Sequence, residues 1–182
     1  MLNKKITSIQ EGLEEVLALS KAYVLGFSKD VPPTAFIVDD KNFLFFVDIS
    51  PFMNTGKVGK IMLRSFIQET IKKVNAKMVI IANTVWFTMI KASSPEEMRD
   101  FDRANLPKPS ELPPDKRSEA LLVIASYPEK DDEIYMYKIT RNEEGKVLKL
   151  EEHDIFKKSK GESFYALDFF DRKKNENSDK PT

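Results

Sequence analysis

"KMVIIANTVWFTMI", residues 77–90, is the most apolar stretch of the chain, and how it is read decides the fold. From Met78 to Ala82 it has no polar residue. A short run apolar on both faces belongs in the middle of a sheet, where both sides are covered. Asn83-Thr84 then marks either a bend or a turn to a second short strand.

On the N-terminal side, Val58, Ile61, Met62, Phe66, Ile67, Ile71 and Val74 recur at helical spacing, and Asn75 is placed to end that helix as a left-handed cap. Before it, "TAFIVDD" and "NFLFFVDIS" are β-prone runs joined by a turn at Asp39, Asp40, Lys41 and Asn42. The second run is apolar on both faces and is expected to be covered on both. Ile6, Ile9, Leu13, Val16, Leu17 and Val24 form another helical stripe, with Glu11, Glu14, Glu15 and Lys21 on the opposite side. Gly26 and "KDVPP" at 29–33 stop it.

On the C-terminal side, residues 92–118 change character. They hold five prolines and mixed charge, read as a long loop with one short helix in "SPEEMRDFDRA". "EALLVIASY", "EIYMYKIT" and "KVLKLEE" follow, separated by "PEKDD" and "RNEEG", and read as a three-stranded antiparallel meander. "ESFYALDFF" is a last short strand or a packing arm, and residues 171–182 form a flexible polar tail.

The order is α-β-β-α-β-loop-β-β-β. It predicts one α+β domain over residues 1–170, with a mixed, mostly antiparallel sheet and helices packed mainly on one face. Deaminase-like and JAB-like metal hydrolase domains open in a similar order, an analogy of architecture that fixes no function.

Lys and Arg total 29, as do Asp and Glu, so the formal net charge is zero. Phosphate neutralisation supplies most of the affinity for nucleic acid, so this balance disfavours a general nucleic-acid binder. The chain has no cysteine, which removes disulfides, thiolate metal sites and a cysteine nucleophile. With no uninterrupted apolar run of about 18 residues, a membrane span is not expected. These features place the protein in the cytoplasm.

"DISPFMNTGKVGKIML", residues 48–63, has the outline of a phosphate loop. A true one needs Gly, four residues, then Gly-Lys followed by Ser or Thr. Here Ile61 follows Gly59-Lys60, and Asn54 stands where the first glycine belongs. What survives is a helix start carrying Lys57 and Lys60, a weak anion-binding candidate; the plainer reading is a strand-to-helix connection capped by Asn54 or Thr55.

The single histidine, His153, cannot build a metal site or a serine triad alone, so no metal and no cofactor are expected. Among the acids, Asp39 and Asp40 belong to their turn. Asp48 ends an apolar strand, where burial would raise its pKa unless it were paired. Asp48 and Glu119 are therefore the weak catalytic candidates. Arg117 and Glu119 fall on one face and can pair with each other, and Trp86 can wall a pocket beside them. The tyrosines of "IYMYKIT" offer aromatic surface to a partner. The basic "FKKSKG", residues 156–161, is a solvated turn.

"PPTAFIVDD", "VWF" and "PPDKRSEALLVIASYPEKDDEIYMYKITRNEEGK" together resemble a family of small bacterial and phage-borne proteins of unassigned function. The resemblance covers residues 30 to 150. It implies domain boundaries and no chemistry. Two expectations follow. One is a non-catalytic module that binds an unknown protein partner, or itself as a homodimer, through the meander and the long loop. The other is a small-ligand or Mg-dependent hydrolase built around Asp48, Lys60 and Glu119.

Overall fold

A computed structural model describes residues 4–53, 55–88, 111–152 and 169–170. Among the described residues, seven strands form one sheet: β1 (Lys4–Lys5), β2 (Thr34–Val38), β3 (Phe43–Asp48), β4 (Met78–Phe87), β5 (Ser118–Ser126), β6 (Glu133–Arg141) and β7 (Val147–Glu152). Their spatial order is β1-β3-β2-β4-β5-β6-β7, and each described pairing is antiparallel. Helix α1 spans Ile9–Phe27, the single turn α2 spans Ser50–Met53, and α3 spans Gly56–Val74. A short 3₁₀ turn at Pro114–Lys116 precedes β5.

The α+β class and the antiparallel meander are as the sequence predicts. The helices are not on one face. Met78, Ile80 and Ala82 of β4 join Leu13, Val16 and Val24 of α1 in one core, while Val79 and Ile81 join Leu63 and Ile67 of α3 in another. Successive strand residues point to opposite sides, so α1 and α3 sandwich the sheet. The topology gives the reason. β3 and β4 both run antiparallel to β2, which lies between them, so α2 and α3 form a crossover. Crossovers of parallel strands have one preferred hand, which commits α3 to one face and leaves the other for α1.

β4 is a single ten-residue strand through Asn83-Thr84, with no break there. The expectation that β3 is covered on both sides is met in part: Phe45 and Val47 pack against the α3-side core, while on the other face Leu44 is buried but Phe46 is 43% exposed. Beyond β3 lies the two-residue β1, too short to extend either layer over it. Phe169 and Phe170 are buried in the α3-side core. The rest of "ESFYALDFF", the helix expected in 94–104, "FKKSKG", His153 and the tail fall outside the described residues.

Local chemistry sets the helix ends. Ser8 accepts from the Glu11 amide at 3.1 Å, and the Glu11 carboxylate accepts from the Thr7 amide at 2.6 Å, a reciprocal cap. Helix α1 runs through Gly26, which was expected to stop it, and ends at Ser28 in the left-handed region, φ 52°. Asn75 ends α3 as the sequence predicts, at φ 49° with its amide donating to the Ile71 carbonyl. Gly59 has no room for a side chain. A Cβ there would overlap the Phe52 carbonyl oxygen and Thr55 Oγ1 where α2 meets α3.

Candidate functional site

The sequence-derived candidates do not converge. Asp48 is exposed at the end of β3 and accepts from the Ser50 amide at 2.9 Å. Ser50 holds its carboxyl below the ordinary range, through side-chain and then backbone hydrogen bonding; the burial that would have raised it is not present. The register runs Asp48 to Thr34, Thr34 to Ala82 and Ala82 to Val123, with Glu119 four residues further along β5. Three strand spacings and four residue rises put Asp48 and Glu119 roughly 20 Å apart. Lys57 is exposed and Lys60 half-buried on α3, whose layer lies across the sheet from Glu119. Among the described residues, no group of three or more histidines or acids is placed to hold a metal ion.

Glu119 does not pair with Arg117. It is 8% exposed and takes a two-pronged contact from Arg141, Nε at 2.8 Å and Nη2 at 2.6 Å. Arg141 also donates to Asp30 at 2.7 Å, the Ser28 carbonyl at 2.6 Å and the Gly145 carbonyl at 3.1 Å. One guanidinium thus ties the end of α1, the 28–33 connection, β5 and the β6–β7 turn together. A planar fork of five donors suits this task. Thr84 completes the clasp: its hydroxyl accepts from the Val31 amide at 2.8 Å. The arrangement is structural. The acid that sequence reasoning offered for catalysis is engaged in holding the fold.

Trp86 is Glu119's cross-strand partner and is 45% exposed, with the Arg117 guanidinium 4.3 Å from its ring centroid. That stack makes a small shelf at the sheet's end, and Asp48, on β3, lies well away from it across β2. The meander tyrosines are not a free aromatic surface. Tyr135 and Tyr137 are two residues apart, so they share a face and pack into the α1-side core. The hydroxyls of Tyr127 and Tyr135 donate to Glu133 at 3.2 and 2.8 Å. Burial first, and then the Glu133 carboxylate, raises both phenols well above their ordinary range.

The surface with unused chemistry is the outside of α1, which sequence reasoning missed. Leu19 is 53% exposed, Leu25 49% and Phe27 67%, and Ala18, Ala22 and Gly26 are exposed beside them. Lys21 is the single charged residue between Val16 and Ser28. Its ammonium sits 3.9 Å from the centre of the Tyr137 ring and so leaves the outer face bare of charge. The charges that polarise the helix, Glu11, Glu14 and Glu15, all lie in its first half. At about 100° per residue, positions 18, 19, 22, 25 and 26 fall within a stripe about 120° wide centred on Ala22. The inner face of the same segment is already buried through Val16, Ser20 and Val24. A helix apolar on both sides is one that expects cover on both.

A smaller apolar group, Val58, Ile61 and Met62, is exposed on the first half of α3. No helix among the described residues is long and apolar enough to cross a membrane. No family model, curated protein or solved structure matches the chain.

Proposed function

We propose that this protein is a non-catalytic, cytoplasmic module that works by associating with another protein surface, in the first place a second copy of itself. The observation that carries the reading is the uncharged outer face of α1, where Leu19 and Leu25 are each about half exposed beside Ala18, Ala22 and Gly26. Contiguous apolar surface of this kind, as opposed to single scattered residues, marks an interaction site. The state of the acids supports the non-catalytic half of the proposal. Glu119 is neutralised by Arg141, and Asp48 caps a turn.

The meander and the long loop were the expected interface. The meander's tyrosines are packed beneath α1, and most of the loop lies outside the described residues. The proposal therefore moves the contact surface to α1. Light scattering on a sizing column, over a dilution series around micromolar concentration, tests it. The expected result is a mass that falls from dimer towards monomer on dilution. A mass fixed at monomer throughout, with no partner recovered in a pull-down at native expression, counts against it.

A further inference from the structure

The geometry points to a two-fold dimer in which α1 packs antiparallel against α1 of a second copy, with Ala22 on the axis. The inference rests on the self-association reading above and specifies its surface and register.

The argument begins with spacing. An antiparallel pair with residue 22 on the axis sets residue 19 level with residue 25 of the second copy, and residue 18 level with residue 26. In angle, Leu19 and Leu25 flank Ala22 on opposite sides by about 60°, while Ala18 and Gly26 flank it by about 40°. Leu25 therefore drops onto Ala18 of the second copy, and Leu19 onto its Gly26. Each leucine meets a small residue, not another leucine. Alanine and glycine supply the holes, and because Ala22 faces its own copy across the axis the helix axes stand about 10 Å apart, the wide end of helix packing. Gly26 has no heavy atom within 4 Å of where a Cβ would stand, so its own chain leaves that space open.

Charge supplies the second, independent support. The same register places Glu15 level with Lys29 of the second copy, twice by symmetry. Lys29 is exposed just beyond the helix's end, and Glu15 is half-buried. Lys4 already touches Glu15, but a carboxylate has lone pairs for further donors. A second copy is thus complementary at both ends of the stripe as well as along it. No other arrangement is required of the two-fold, which makes the contact self-limiting: one patch meets its own copy and the assembly closes at two. A single helix pair buries less than the standard interface of about 1,600 Å², so a dissociation constant on the order of micromolar is expected.

The absence of cysteine from the chain makes a clean test available. Ala22→Cys puts the two sulfurs near the axis; with axes about 10 Å apart and Cα atoms about 2.3 Å from each axis, the Cα atoms stand about 5.4 Å apart, inside the roughly 4.4–6.8 Å that a disulfide spans. Mild oxidation of this variant should cross-link at least tenfold more chain than Glu69→Cys, a comparably exposed site on the outside of α3, and reductant should reverse it. Far-UV circular dichroism checks that both variants are folded, which is expected because both positions face solvent. As an orthogonal arm, Lys29→Glu should weaken association roughly two- to tenfold, and adding Glu15→Lys in the same chain should restore it. A dimeric protein in which Ala22→Cys cross-links no better than Glu69→Cys overturns this pairing while leaving self-association standing on another face. A protein monomeric at every concentration overturns both.

Discussion

Replacing Arg141 with methionine tests whether the clasp at the end of α1 is structural. Methionine keeps most of the side-chain length and the apolar stem, but it removes every donor. Glu119, 8% exposed, then loses both prongs of its contact, and the Ser28 carbonyl and Asp30 lose theirs. Removing one partner of a buried ion pair typically costs about 3–5 kcal/mol, because the other charge is left desolvated. Arg141 keeps 21% of its side chain exposed and Asp30 is two-thirds exposed, so water can rescue part of the loss. We expect about 2–4 kcal/mol. With a urea m-value of about 2 kcal/mol per molar, the midpoint falls by roughly 1–2 M.

Urea unfolding followed by circular dichroism reads this shift. The double variant Arg141→Met, Glu119→Gln should recover about half or more of the loss, since the desolvated charge goes with the carboxylate. A loss below about 1 kcal/mol would refute the reasoning, as would strict additivity in the double variant. Either result would mean that the five donor contacts are solvated surface contacts of little worth.

Three further outcomes follow from the same structure. Gly59→Ala should lower stability by about 2 kcal/mol or more in thermal unfolding, because the new methyl overlaps backbone and a threonine hydroxyl at the α2–α3 join. Unchanged melting would mean that the join is loose. Asn75→Ala should cost about 1 kcal/mol and Asn75→Gly almost nothing, as expected for a left-handed cap at φ 49°. Equal losses would point to Asn75's side-chain contact with Asp40 instead.

Asp30 carries a pH dependence. Its carboxyl is held above the ordinary range, first by the protein packed around it and then by the Glu119 carboxyl, against the pull of Arg141. A folded-state value above the unfolded one means that the stabilising contribution is full at pH below about 3.9 and is lost as pH rises through the folded value. Asp30→Asn should therefore gain stability relative to the wild type between pH 3.5 and pH 7. Because most of the Asp30 side chain is exposed, the gain is small. A gap in urea midpoints that narrows with rising pH would contradict the assignment.

Where a signal is local, the sequence carried the fold openly. The apolar run at 78–82, the Asn75 cap and the turns of the meander each depend on residues within one turn or one strand of one another. The disposition of the helices was hidden for a physical reason. A helical stripe shows that one side is buried but not which face of the sheet receives it. That choice is made by the β3-to-β4 crossover around β2. The Glu119–Arg141 pair was equally hidden. It joins residues 22 positions apart through the β5–β6 register, so the neighbouring Arg117 looked like the natural partner while stacking on Trp86.

The candidate surface is legible in the sequence, but it lies off the stripe that marks the buried face of α1. Leu13, Val16 and Val24 mark the inner face of α1, and the acids of its first half suggest a polar exterior throughout. Past Val16 the helix has a single charge, Lys21, turned towards Tyr137. Leu19 and Leu25 then have no charged neighbour within the helix beyond Val16 on their own side. Charge depletion along half a helix was the available signal.

Sedimentation equilibrium of the wild type beside the Leu19→Glu, Leu25→Glu variant bears most directly on the central claim. Both leucines are about half exposed, so the changes leave the core intact while setting charge along both edges of the stripe. The wild type should fit a monomer–dimer equilibrium, and the variant should remain a folded monomer over the same concentrations. Association of equal strength in both proteins would show that the outer face of α1 is not where this chain makes its contacts.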